Sequence, residues 1–114
     1  MANTFRLKNK ASLTTSLADI YEVDASTTTV VLGISLANKD SSARTADVLV
    51  VSDTAHSGET NANCYLGYQL PIPAGGTLEV MSGNKLVLET TDKIQAKASA
   101  GSAIDILVSI MEIT

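Results

Sequence analysis

Apolar and polar residues alternate with a period of two along most of this chain, the signature of strands with one buried face. Across Thr27–Ala37, Val30, Leu32, Ile34 and Leu36 share one face, expected to be core, while Thr29, Val31, Gly33 and Ser35 share the other. Near the C-terminus Ile104, Ile106, Val108 and Ile110 point one way, and Asp105, Leu107, Ser109 and Met111 the other. Between them Ile94, Ala96 and Ala98 alternate with Lys93, Gln95 and Lys97, the pattern of a strand with one wet face. Further strands are predicted at 4–9, 17–23, 44–52, 63–70, 76–82 and 85–90. Turn residues separate them, as at Asp24-Ala25-Ser26, Asn38–Ser42 and Ser82-Gly83-Asn84. Pro71 and Pro73 bracket Ile72 before Ala74-Gly75-Gly76, and prolines donate no ladder hydrogen bond, so this segment reads as a strand break or a corner between sheets. The expectation is an all-β fold, a two-sheet β-sandwich of eight or nine short strands, with jelly-roll and immunoglobulin-like topologies both open.

With 114 residues the chain reads as a single β-sandwich domain, 1–114, with a basic first strand (1–10) and one long polar loop (53–63). Val, Ile and Thr make up 30 of the 114 residues, which favours strands over helices. A net charge of −4 opposes broad association with phosphates, so no nucleic-acid partner is expected. That charge is unevenly placed. Residues 1–10 carry Arg6, Lys8 and Lys10 and no acid, whereas 11–84 carry eight acids against Lys39 and Arg44. The first strand therefore suits an acidic patch on a neighbouring protein, or is an edge strand guarded by charge. Cys64 is single, so packing must replace disulfides, and no apolar run reaches signal-peptide or membrane-spanning length, so no membrane partner is expected.

The candidates for chemistry are few. His56, Asp53, Glu59 and Cys64 lie close in sequence, but one His and one Cys eight residues apart do not match the paired ligands of a zinc site. Cys64 with His56 lacks a third, orienting residue for a nucleophile and base, and reads as a half-buried thiol. No cofactor, small-molecule substrate or enzymatic activity is expected. Tyr65 and Tyr68 offer a small platform for a sugar, although half-buried strand tyrosines are the commoner case. The outward strand faces are more informative. Thr29, Val31, Gly33 and Ser35 are neutral and small, and Leu107, Met111 and Ile113 are apolar on a face expected to be wet. Either another subunit covers this surface, or the last strand is central and buried on both sides.

The opening MANTFRLK, the segment TTTVVLGISLAN, the corner PIPAGGTLEV, the run SGNKLVLETTD and the ending LVSIMEIT resemble small virion structural proteins of tailed bacteriophages, particularly marine and cyanobacterial ones. The resemblance implies a capsid decoration or cement protein on the head exterior, a homo-oligomer such as a trimer, in contact with the major capsid protein or other virion proteins. Its interface would then draw on Phe5, Arg6, Leu7 and Lys8 of the first strand with Thr29, Val31, Leu107 and Met111. A tail, neck or fibre-adaptor component is the alternative within a virion. A carbohydrate-binding module using Tyr65, Tyr68 and loop 53–63 is the alternative outside that class.

Overall fold

A computed structural model describes residues 2–114. Eleven strands follow one another: β1 (Asn3–Lys10), β2 (Ala18–Glu22), β3 (Thr28–Asn38), β4 (Arg44–Val51), β5 (Ala55–His56), β6 (Glu59–Thr60), β7 (Cys64–Ile72), β8 (Thr77–Glu79), β9 (Leu86–Leu88), β10 (Lys93–Ala98) and β11 (Ile104–Ile113). Nine of them build two sheets. One runs β1-β11-β3-β8 with β9 also on β3, and the other runs β2-β10-β4-β7. Every pairing is antiparallel, and the partners are first with last: β1 with β11, β2 with β10, β3 with β8 and β9, β4 with β7. The chain is thus a long antiparallel ribbon rolled up so that β1, β2, β3 and β4 fall alternately in the two sheets. Of the two topologies left open, this is the jelly roll.

The layers meet over aliphatic side chains. Ile34 and Leu36 of β3 and Ile104, Ile106, Val108 and Ile110 of β11 face Val48 of β4, Ile72 of β7 and Ile94 and Ala96 of β10, all essentially solvent-free. Each such Ile or Leu contributes about 1.5–3 kcal/mol on burial. Leu13, in the β1–β2 connection, is fully buried and closes one end, with its N–H on the Ile104 carbonyl. At the opposite end Val23 exchanges backbone hydrogen bonds with Thr91 and Asp92.

The two-residue period breaks once in β3. Ser109 pairs with Gly33 and Ile110 with Val31, which leaves Leu32 as an extra residue, a β-bulge. Before the bulge the odd-numbered residues face inward, after it the even-numbered ones. Thr29 and Val31, expected on the outer face, are accordingly 0% exposed, and Val30 and Leu32, expected in the core, are only half-buried. Strict alternation failed here because a single inserted residue turns every earlier side chain to the other face.

The proline segment is a corner, but a later one than Pro71 alone suggests. β7 runs through Pro71 to Ile72, and the chain crosses between sheets at Pro73–Gly76, where the Gly76 N–H reaches the Pro73 carbonyl at 2.9 Å. Asn38 fastens it, its amide donating to the Ile72 and Ser42 carbonyls at 3.0 Å. The stretch 53–63 is not structureless. It holds the hairpin β5–β6, turned by Ser57 (φ 49°) and Gly58 (φ 89°), the left-handed pair that a tight two-residue hairpin requires. Thr54 Oγ1 ties its base to Asp92 at 3.0 Å.

Candidate functional site

The outer face of the five-stranded sheet is built by register. Directly opposed residues lie on one face, so Phe5, Met111, Val30 and Val87 form a continuous row across β1, β11, β3 and β9. The next row along β1 is Leu7, Ser109 and Gly33, and the one after it is Asn9, Leu107, Ser35 and Glu79. Phe5 is 71% exposed, Val87 61%, Leu7 58% and Leu107 39%, with Val30, Met111 and Ile113 half-buried beside them. The last strand is therefore central, yet one of its faces stays open. Glu79 is the one carboxylate in these rows, and it is engaged by the Ile34 and Met81 N–H groups and the Ser35 hydroxyl.

β1 sharpens the picture. Opposite the buried Ile110, Val108 and Ile106 it places Arg6, Lys8 and Lys10, so its cations lie on the inner side and Phe5 and Leu7 on the outer. Burial alone would favour the reverse. Inward-pointing charge is a known guard for edge strands, and here the same parity displays two large apolar side chains. Of the first-strand residues expected to meet a partner, Phe5 and Leu7 are available on this face. Arg6 is instead tied to Glu112 at 2.6 Å, and the Lys8 ammonium lies 5.8 Å from the centre of the Tyr21 ring. Leu107 and Met111 join Phe5 and Leu7, whereas Thr29 and Val31 lie in the interior.

Behind β1 lies a polar cluster that no motif in the sequence marks. Glu112 continues the inward stripe of β11, where an apolar residue would be expected. Its carboxylate accepts from Arg6 Nε and, at 2.6 Å, from the Tyr21 hydroxyl, which also lies 2.7 Å from Thr29 Oγ1. The bond from Tyr21, with Arg6 adding to it, holds the Glu112 carboxyl below its ordinary range against the opposing effect of burial. Burial first, and then the Glu112 carboxylate, push the Tyr21 hydroxyl up to about 12. A raised tyrosine stabilises the fold while it stays protonated, so that contribution is complete below pH 10 and disappears as pH rises towards 12. Chemical denaturation at stepped alkaline pH is expected to show this loss, and Tyr21→Phe to flatten it while lowering stability at pH 7 by about 1–2 kcal/mol.

The residues considered for chemistry are dispersed. His56 Nε2 meets Glu89 at 2.7 Å on the surface. Cys64 opens β7 as an exposed thiol near the Ala62 carbonyl, not half-buried as expected. Among the described residues no three His, Cys, Asp or Glu side chains are grouped to hold a metal. Tyr65 and Tyr68 do meet, edge to face with ring centres 4.9 Å apart, and both are exposed, because β7 is an edge strand of its sheet.

No protein-family model matches the chain, and no curated protein matches it significantly. Among solved structures, a chain of the Bacillus endospore appendages, described as a novel family of disulfide-linked pili, superimposes with a TM-score of 0.52. The match covers 99% of this chain and 87% of that one at 10% sequence identity. A likeness at that identity concerns the all-β sandwich fold, which hosts many functions.

Proposed function

We propose that this chain is a structural subunit that works through its surfaces in a multi-copy particle, and that its setting is a tailed-phage virion, as a decoration protein on the head. The observation that carries the reading is the apolar row Phe5, Met111, Val30 and Val87 with Leu7 and Leu107 beside it. Contiguous apolar surface of this kind marks interaction sites. The occupant we assign to it is a second copy. On a chain of net charge −4, a face whose strand acids are already engaged, Glu79 by hydrogen bonds and Asp105 by Lys39 and the Ser12 N–H, lets like-charged copies approach. Three strands of 8, 10 and 11 residues with the three-residue strands β8 and β9 beside them, about 4.8 Å apart, offer about 500 Å² per copy, or about 1,000 Å² for a pair, the lower bound for a specific interface. Jelly rolls recur in viral capsid domains, an analogy of fold that agrees with the resemblance of the strand and turn motifs. One cysteine can link at most two chains, so a longer assembly of this protein would be held by non-covalent contacts.

Sedimentation equilibrium tests the contact, with concentration-dependent association expected and a monomer throughout the micromolar range overturning it. Quantitative mass spectrometry of purified particles tests the setting. Hundreds of copies per particle are expected on a head, tens would move the chain to a neck or tail, and absence from particles would refute the virion reading.

A further inference from the structure

The outer face of the other sheet differs in character. A cleft of about 260 Å³ opens there between β4, β7 and β10, with Asp47 at its floor and Lys97, Thr45, Tyr68, Gln69 and Ser99 around it. It arises from a bulge in the β4–β7 pairing. Ala46 pairs with Leu70 and Val48 with Gly67, so Asp47 confronts two residues, Tyr68 and Gln69, instead of one. Asp47 Oδ1 accepts the Gln69 N–H at 2.7 Å, and Gln69 adopts φ 50°, which turns Tyr68 outward at the rim. Only one carboxylate oxygen is used in this way. The other lies 3.7 Å from Lys97 Nζ, too long for a good direct hydrogen bond. The Asp47 side chain is 7% exposed, so it sits at the bottom of the cleft with acceptor capacity to spare.

We infer that this cleft binds a neutral, polyhydroxylated ligand, a sugar ring with neighbouring hydroxyls. Asp47 disfavours anions, Lys97 disfavours cations, and the hydroxyl and amide lining disfavours a purely apolar guest. A vicinal diol fits the gap between the two charges, one hydroxyl donating to the free Asp47 oxygen and its neighbour accepting from Lys97. The exposed Tyr68 ring, braced by Tyr65, supplies a flat apolar wall for the C–H face of the ring. The volume lies below the range of pockets that hold drug-sized ligands, which suits one ring. This differs from a sugar site on the tyrosines and the 53–63 segment, since Tyr68 looks onto Asp47 and Lys97 and no residue of that segment lines the cleft. It is also independent of the assembly face, which belongs to the opposite sheet.

The test is a titration of the full, isotope-labelled chain with a panel of methyl glycosides, read by amide NMR. At least one is expected to give saturable shifts at Thr45, Asp47, Gln69 and Ser99. Tyr68→Ala and Lys97→Met, both surface changes, are each expected to weaken that binding about tenfold, with the remaining spectrum unchanged to show that the fold persists. No saturable shift with any glycoside would overturn the inference, and so would shifts that survive both substitutions unaltered. Saturation at these amides by inorganic phosphate or calcium alone would overturn the assignment to a neutral ligand. None of these outcomes bears on self-association, which sedimentation reads separately.

Discussion

Glu112→Ala is expected to lower stability by about 3 kcal/mol, because it strips a charged partner from two groups at once, the buried Tyr21 hydroxyl and the half-exposed Arg6, and leaves Tyr21 only the Thr29 hydroxyl. For a chain of this size that corresponds to about 12 °C in Tm, a large part of the total stability of an ordinary domain. Glu112→Gln keeps an oxygen for Tyr21 and is expected to cost less than half as much. The pH dependence separates charge from shape. A carboxylate held below its ordinary range contributes stability above pH 4.5, and loses it as pH falls through the lowered value. Both variants should therefore show a shallower acid limb than the parent in denaturation at stepped pH. An unchanged acid limb would mean that Glu112 is not the anchor described here. Asp105, held low first by the Ser12 N–H and then by Lys39, would remain as a second contributor to that limb.

Phe5→Asp combined with Leu7→Asp is expected to weaken self-association at least a hundredfold, since large apolar anchors carry most of the binding free energy and two carboxylates in their place repel a like-charged copy. Stability should change by about 0.5 kcal/mol or less, because both side chains are mostly in water in the isolated chain. The pairing of β1 with β11 runs through backbone groups and the Arg6–Glu112 contact, which the substitutions leave in place. Sedimentation equilibrium measures the first quantity and denaturant titration the second. A double variant that associates like the parent would show that copies meet through some other face.

The strands were legible where the alternation was unbroken. β11 and β10 follow their two-residue period from end to end, and their buried and open faces match it residue by residue. β3 shows the limit, since nothing in the run from Val30 to Leu36 announces that Leu32 is left over against β11. That is a property of the pairing, and it exchanged the surroundings of Thr29, Val31, Val30 and Leu32. For the same reason four of the eight residues expected at an interface share the outer face. Leu107 and Met111 lie on a regular strand, and Phe5 and Leu7 on another, whereas Thr29 and Val31 lie beyond the bulge. Glu112 left a trace that alternation could have found, an acid in phase with four buried aliphatics. Asp47 left none, because its setting depends on Lys97 of β10 and on a bulge in β7, partners distant in sequence. The hairpin within 53–63 was marked by Ser57-Gly58, but its strands are too short to show a period.

The pairing of the first strand with the last also governs when the molecule becomes sticky. The row Phe5, Met111, Val30 and Val87 draws on β1, β3, β9 and β11, so it does not exist as a surface until β11, which follows every other strand, has emerged from the ribosome and closed against β1. Topologies dominated by such distant pairings fold slowly, and unfinished chains at high local concentration are prone to aggregate. A chain wound in this order holds its adhesive patch in scattered pieces until β1 and β11 pair.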